Sequence, residues 1–226
     1  MRAIITPTED SRLVYQTCIN SIADTELRDR LNAVDTDIFL AAKEYEEKAL
    51  TKQLYTLQPS DYGDEDIVLG TVKKKELIKV YTAHMVNKNK PARVIYDRLY
   101  NSAPLGKCPF CGFAPVKNLD HYLPKSKFPQ LSVVPMNLVP SCSDCKSGKG
   151  VVTATMEEAQ SLHPYFDHDH FINEQWLFAE AIPTIPTTIR FYVRPPDHWD
   201  DISKAKVRNH FQNCDLGSRY KKETTA

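Results

Sequence analysis

Residues 107–127 read KCPFCGFAPVKNLDHYLPKSK, and residues 137–149 read NLVPSCSDCKSGK. Each stretch contains a C-x-x-C pair: Cys108 with Cys111, and Cys142 with Cys145. Two residues between cysteines let both sulfurs reach one Zn²⁺ at about 2.3 Å, and Gly112 after the first pair permits a tight turn. The doubled pair therefore predicts one closed, tetrahedral four-cysteine zinc site, with two redox-active pairs as the alternative.

The segment between the two pairs is longer than in a plain zinc ribbon. It covers residues 112–141, whereas a ribbon has about 15–20 residues there. The additional length carries an adjacent acid and imidazole, Asp120 and His121, followed by the amide of Asn137. The lysines in or near this segment are candidate phosphate contacts: Lys125, Lys127, Lys146 and Lys149.

These residue types suit the hydrolysis of a phosphodiester. The reaction needs a base to deprotonate the attacking water and a cation to stabilise charge on the phosphoryl and leaving oxygens. An imidazole with an ordinary pKa of about 6.5 suits the base, and Asp120 offers a hard oxygen to a Mg²⁺-like ion. Asn137 can hydrogen-bond the backbone or His121 and fix the imidazole. Adjacent side chains on a strand face opposite ways, so we expect a bend or bulge to turn Asp120 or His121.

The composition is that of a globular protein with unevenly distributed charge. Lys+Arg and Asp+Glu both number 29 and hydrophobic residues make up 42% of the 226 residues, which excludes a disordered chain. Residues 71–150 carry 14 Lys+Arg against 4 Asp+Glu, whereas residues 1–70 carry 7 against 14. The basic middle favours contact with a polyanion such as DNA, with solvated lysines such as those at 73–75 as the alternative.

The sequence predicts a cytoplasmic protein without membrane contact. No apolar run reaches the length of about 18 residues that a transmembrane helix needs, and the N-terminus lacks a signal-peptide pattern. Paired cysteines in a reducing compartment point to a metal rather than to disulfides.

The predicted fold class is α+β in three segments. They are a helical region (1–102), a zinc-bound core that holds the candidate hydrolytic residues (103–167) and a mixed α/β C-terminal extension (168–226). The resemblance described below implies partner docking for the first and nuclease activity for the second. Apolar spacing predicts helices over 35–50, 72–86, 92–101 and 200–213, and alternation predicts a strand over 188–194. In the last helix we expect Ile202, Ala205 and Phe211 to be buried.

Several other residues are expected to pack in the hydrophobic core. These are His84, His198, His210, Trp176, Trp199, Cys18 and Cys214. His168 and His170 flank Asp169, where a solvated polar loop is favoured over a metal site.

Residues 107–149 resemble the zinc-stabilised HNH (ββα-metal) endonucleases. The shared pattern is C-x-x-C, a strand ending in Asp-His, then Asn-Leu, then C-x-x-C with a short helix. The resemblance implies that Asp120 is a metal ligand, His121 the general base and Asn137 the residue that shapes the loop, with Mg²⁺ or Mn²⁺ as the catalytic ion. The four cysteines would hold a structural Zn²⁺ outside the catalytic centre.

A wider set of segments resembles one subgroup of these nucleases. The segments are LDHYLPKSKFP (119–129), NLVPSC (137–142) and HPYFD (163–167). The subgroup is the HNH component that accompanies an ATPase in bacterial anti-phage systems such as Septu and some retrons. The resemblance implies a DNA endonuclease of a defence complex, with the acidic N-terminal helices contacting the ATPase.

One position departs from the family pattern. The third HNH residue, normally a His or Asn ligand after the last cysteine, is Lys146, and a protonated ammonium has no lone pair for a metal. Three explanations remain open: His163 supplies the ligand; Asp120, phosphate and water hold the ion while Lys146 contacts phosphate; or the site is weakened. In the last case the chain is a zinc-stabilised nucleic-acid or protein-binding module.

Overall fold

The computed structural model describes residues 1–151, 153–167 and 170–224. His168 and Asp169, from the alternative metal loop, lie outside these ranges. Within them the fold is mixed α+β, with nine α-helices and three two-stranded antiparallel sheets. The predicted class is confirmed at this level.

The helices are α1 (Ser11–Ile19), α2 (Thr25–Ala33), α3 (Asp35–Leu50), α4 (Lys74–Lys79), α5 (Arg93–Asn101), α6 (Ser143–Lys149), α7 (His170–Asn173), α8 (Asp201–Asn213) and α9 (Leu216–Thr224). The strands are β1 (Ile67–Leu69), β2 (Val72–Lys73), β3 (Asn118–His121), β4 (Leu138–Ser141), β5 (Leu177–Ile182) and β6 (Thr188–Val193). Each strand pairs with its sequence neighbour: β1 with β2, β3 with β4, and β5 with β6.

The N-terminal region is helical, as predicted. Aspartates cap α1 and α2: the Asp10 carboxylate accepts the backbone N–H of Leu13, and Asp24 does the same at its helix. α3 buries Ile38 and Tyr45 on the face that the apolar spacing predicts.

The single helix predicted over 72–86 is wrong. Val72 and Lys73 form β2, which returns on β1 through Gly70 at φ +55°. The short helix α4 follows, and the chain then makes a π-helical turn over Val80–Met85. A π turn inserts one residue into the helical spacing, and such turns are frequent at functional sites.

A ββα unit spans the centre of the chain. β3 pairs with β4 residue for residue, from Asn118 opposite Ser141 to His121 opposite Leu138. α6 begins directly after β4, with Cys142 as its N-cap residue. Of the expected bend or bulge, the bulge is absent from the ladder, and β3 ends at His121 with a bend at residues 122–123.

The C-terminal segment contains the β5–β6 hairpin and the helices α8 and α9. The predicted strand and helix are present, and the Asp200 carboxylate accepts the backbone N–H of Ser203 at 2.6 Å. Ile202, however, is 40% exposed. The buried face of α8 carries Val207, His210 and Lys206, the last in a buried ion pair with Asp167 at 2.6 Å.

Three hydrophobic clusters form the core of the described ranges, and they cross the predicted segment boundaries. The first joins the four motif cysteines to Ile4, Tyr45 and Leu216, so it draws on all three segments. The second joins the N-terminal helices to Leu119 and Leu138 of the β3–β4 pair. The third contains Trp176 and Trp199, which are buried as predicted. The ββα unit therefore depends on packing against its flanks.

None of the described helices combines the length and apolar character needed to cross a bilayer.

Candidate functional site

The four motif cysteines form one cluster. All are at most 3% exposed, and their sulfurs lie within 4.8 Å of one another. Cys111 Sγ and Cys142 Sγ are 3.9 Å apart. Tetrahedral ligation with bonds of about 2.3 Å would place the sulfurs about 3.8 Å apart. The cluster could therefore hold a zinc ion.

Local backbone geometry brings these cysteines together. The N–H of Gly112 donates to Cys108 O at 2.7 Å, and Gly112 has φ +79°, the left-handed conformation that glycine adopts without strain. The other pair lies at the start of α6, where Cys142 Sγ accepts the backbone N–H of Cys145 at 3.4 Å. A tight turn and a helix start thus aim two pairs of sulfurs at one point.

Arg219 of α9 contacts this cluster and was not predicted from the sequence. Its guanidinium donates to Cys145 Sγ at 3.0 Å and to Cys142 Sγ at 3.3 Å. Four thiolates around Zn²⁺ carry a net charge of −2, which a neighbouring cation stabilises. No local pattern marks Arg219, because it lies more than 70 residues from either sulfur along the chain.

A second feature is a cleft of about 610 Å³ beside β3. Its lining includes Asp120 and His121 at the end of the strand, together with Lys125 and Lys146. The π-helical turn supplies Tyr81 and Thr82, and α5 supplies Tyr96. The structure therefore brings the predicted acid, imidazole and two of the lysines to one surface.

His121 is held at the end of β3. Its Nε2 lies 2.8 Å from Ser132 O, and because a carbonyl only accepts, Nε2 carries the proton and Nδ1 keeps its lone pair. The ring of Tyr81 meets the imidazole edge-on at 4.5 Å, and the Tyr81 hydroxyl donates to Leu119 O at 3.1 Å. Burial, followed by the nearby lysines, lowers the pKa of His121 to about 3.

Asp120 is buried beside Lys149. Burial raises the pKa of the Asp120 carboxyl, and Lys149 opposes that shift. Asp120 Oδ2 lies 3.2 Å from Lys149 Nζ but outside hydrogen-bond geometry, and it has no hydrogen-bond partner among the described residues. The Lys149 ammonium donates instead to His121 O at 2.6 Å and Tyr122 O at 3.0 Å.

This environment fits a divalent cation at Asp120. Asp120 Oδ2 accepts no hydrogen bond among the described residues and is approached there by the Lys149 ammonium, with which a divalent cation would compete. Mg²⁺ binds proteins through one or two carboxylates together with phosphate and water. The nearby lysines would hold phosphate oxygens rather than the ion.

Asn137 is fully buried and cross-links the loop that follows β3. Its Nδ2 donates to the carbonyls of Leu123 and Leu131, and its Oδ1 accepts the N–H of Leu123 at 2.7 Å. Of the two roles considered from the sequence, the structure shows the bonds to backbone. Asn137 thereby fixes the loop whose Ser132 carbonyl holds His121.

The other candidate lysines differ in placement. Lys127 does not line the cleft, and its ammonium pairs with Asp61 at 3.0 Å on the surface. Lys149 donates to the backbone carbonyls of His121 and Tyr122, as described above. Of the four candidate lysines, only Lys125 and Lys146 line the cleft.

The structure does not place His163 as a metal ligand. Its Nε2 lies 3.0 Å from the Tyr45 hydroxyl, and its Nδ1 accepts the N–H of Tyr165 at 3.2 Å. The ring stacks on Tyr122 at 4.0 Å, and burial lowers its pKa well below the ordinary value. Because both nitrogens are used inside the aromatic core, the assignment of His163 as the missing ligand is corrected.

The remaining predicted core residues have mixed outcomes. Cys18, Cys214 and His210 are buried as expected. The prediction that His198 is a core residue is wrong, since its side chain is 70% exposed and its Nε2 lies 3.0 Å from Glu174 Oε2.

The chain is similar to protein ea31 of Escherichia phage lambda. The two are 40% identical over 189 residues, which cover 80% of this chain and 62% of ea31. This chain therefore spans about three-fifths of the length of that relative. No family model and no solved structure matches the chain.

Proposed function

We propose that the chain is a zinc-stabilised HNH endonuclease that hydrolyses DNA phosphodiester bonds with a divalent metal ion. The observation that carries the proposal is the position of Asp120 and His121 at the end of β3, in one cleft with Lys125 and Lys146. The order of β3, β4 and α6 and the cysteine cluster support it.

Two metals have separate places in this proposal. The four-cysteine cluster would hold Zn²⁺ as a closed structural site. Asp120 would hold Mg²⁺ or Mn²⁺, which when bound supplies positive charge to the phosphoryl and leaving oxygens.

His121 acts as the general base. Its pKa of about 3 keeps the imidazole neutral at physiological pH, with the lone pair on Nδ1, but also makes it a weak base. The role therefore requires the negative charge of a bound phosphate to raise that pKa. Nε2 stays bonded to Ser132 O throughout, and this carbonyl stabilises the imidazolium that forms.

Lys125 and Lys146 hold the nucleic-acid backbone. Lysine contacts to phosphate are largely insensitive to base sequence and weaken steeply as salt concentration rises. Binding is therefore expected to depend on ionic strength more than on sequence.

Cleavage of supercoiled plasmid in Mg²⁺ or Mn²⁺ tests the nuclease. We expect the zinc-loaded chain to nick the plasmid and His121→Ala to lose about 10²–10⁴-fold in rate, the usual contribution of a general base. His198→Ala, at an exposed histidine outside the cleft, is the matched control. Equal rates for His121→Ala and the unmodified chain would reject His121 as the base.

A second candidate is a binding module whose nuclease site no longer cuts. It is favoured by the ammonium of Lys149, which lies 3.2 Å from Asp120 Oδ2, and by Lys146 in place of the family ligand. Salt-dependent DNA binding without cleavage in either metal, with the partner present, would select this candidate.

We also propose that the chain works in a complex with an ATPase, as in anti-phage defence systems. The acidic N-terminal helices, which are poorly suited to DNA, would form the contact. Because these helices share core with the ββα unit, surface substitutions test this better than deletion. Changing the exposed Leu13 and Leu40 to Glu should abolish co-purification with a co-expressed ATPase, and unchanged recovery would reject the assignment.

A further inference from the structure

Two acceptor oxygens of β3 are buried and accept no hydrogen bond within the described part of the chain: Asn118 Oδ1 and Asp120 Oδ2. Asp120 Oδ2 does form an ion pair with the Lys149 ammonium at 3.2 Å, whereas Asn118 Oδ1 has no polar partner there. Both side chains line the same cleft. Buried polar atoms in native proteins are nearly always paired with protein, water or an ion, so this pair calls for an occupant.

The strand places these two residues on one face. Asn118 and Asp120 are two positions apart on β3, and side chains at that spacing leave a strand on the same side. The ladder with β4 is continuous across both, so no bulge rotates one away from the other. An amide oxygen and a carboxylate oxygen on one face are the hard ligands that Mg²⁺ and Mn²⁺ prefer.

The chemistry of the pair restricts what can bind it. Both atoms are acceptors, so an ionised phosphate oxygen cannot satisfy them, whereas a cation or a donating water molecule can. The nearby Lys149 ammonium makes its hydrogen bonds to two backbone carbonyls. Lys146, at the third HNH position, has no lone pair to offer a metal.

We infer that Asn118 is the second protein ligand of the divalent cation at Asp120, in place of the residue that Lys146 replaces. The inference rests on the proposed nuclease function. It assigns the missing ligand to β3, two residues before the Asp-His pair, rather than to the helix that follows the last cysteine.

Mn²⁺ binding to the zinc-loaded full-length chain tests this assignment, with free Mn²⁺ measured by electron paramagnetic resonance. We expect Asn118→Ala to weaken Mn²⁺ binding about tenfold or more, on the scale of lost metal-site contacts. Asn118→Asp should bind at least as tightly as the unmodified chain, because it supplies a carboxylate. Ser126→Ala, at another polar residue of the cleft, is the matched control and should leave binding unchanged.

Equal Mn²⁺ affinity of Asn118→Ala and the unmodified chain would overturn the inference, and so would a lack of Mn²⁺ binding by the unmodified chain. Zinc content and circular dichroism identify a misfolded variant; Asn118→Asp then decides, since weaker binding by it also overturns the assignment. Plasmid cleavage separates the two proposals. If Mn²⁺ binding depends on Asn118 but the plasmid is not cleaved, only the nuclease proposal is rejected. If the plasmid is cleaved but Mn²⁺ binding does not depend on Asn118, only the assignment of Asn118 as a metal ligand is rejected.

Discussion

Lys149 illustrates how a residue chosen for one role can serve another. The sequence suggests a phosphate contact, because the lysine follows the second cysteine pair in a basic segment. The structure shows its ammonium at the carbonyls of His121 and Tyr122 and near the Asp120 carboxylate. It therefore holds the end of β3 in the position that the cleft requires.

Lys149→Met should destabilise the fold. The substitution leaves two backbone carbonyls without a donor and removes the ion-pair partner of the buried Asp120 carboxylate, at a cost of about 2–4 kcal/mol. Urea unfolding with zinc present measures the change. Lys127→Met, which breaks only the surface pair with Asp61, is the control and should cost about 0–1 kcal/mol. Similar losses of unfolding free energy in both variants would contradict this structural role of Lys149.

At this scale, the sequence predicts which residues lie close together when their spacing along the chain is short. The cysteine pairs and the Asp-His pair are in that group, because neighbouring positions fix their proximity. His163 is not, since its contacts with Tyr45 and Tyr122 depend on how distant segments pack.

Among the elements, α9 contributes contacts to the four-cysteine cluster from outside the motif. Arg219 donates to two of the sulfurs, and the Tyr220 hydroxyl donates to Cys111 O at 2.6 Å. The C-terminal helix is therefore tied to both cysteine pairs.

Arg219→Met should weaken zinc binding by the four-cysteine cluster. Removing the guanidinium takes away two charge-assisted hydrogen bonds to thiolates, and outer contacts of this kind change metal affinity about 10–100-fold. Zinc transfer to a chromogenic chelator should be faster by a similar factor. Lys222→Met, on an exposed position of the same helix, controls for the loss of a positive charge. An unchanged transfer rate in Arg219→Met would show that the contact does not stabilise the site.

Elements with regular periodicity are predictable here, and irregular ones are not. α3 and β6 follow the apolar spacing, whereas the segment over 72–86 divides into strand, helix and π turn. Its apolar residues satisfy a helical spacing, but pairing of Val72 with β1 and the extra residue of the π turn arise from tertiary packing.

At the scale of the whole molecule, three of the histidines that the structure describes are buried and couple stability to pH. Burial lowers the pKa of His121 to about 3, that of His210 to about 4 and that of His163 well below its ordinary value. In the unfolded chain each protonates at about pH 6.5. Below that pH the unfolded state binds more protons than the folded state, so stability falls; above it these contributions are fully present.

His163→Gln should reduce this pH dependence. Each buried neutral histidine contributes a slope of up to about 1.4 kcal/mol per pH unit below its unfolded pKa. Unfolding free energies between about pH 7 and pH 5 should therefore fall less steeply in His163→Gln, even if it is less stable at pH 7. His198→Gln, at an exposed site, should keep the full slope. A full slope in His163→Gln would refute the linkage.

The sharing of core between segments has a practical consequence for anyone working with the motif alone. Tyr45, Ile4 and Leu216 cover the cysteine cluster from outside residues 107–149. An excised fragment of about 40 residues would expose that surface to water, and its fold would depend on zinc binding by the four cysteines. The motif can be recognised from its sequence alone, but its structure also depends on residues outside it. A motif transferred to another protein would therefore have to include the residues that pack against it.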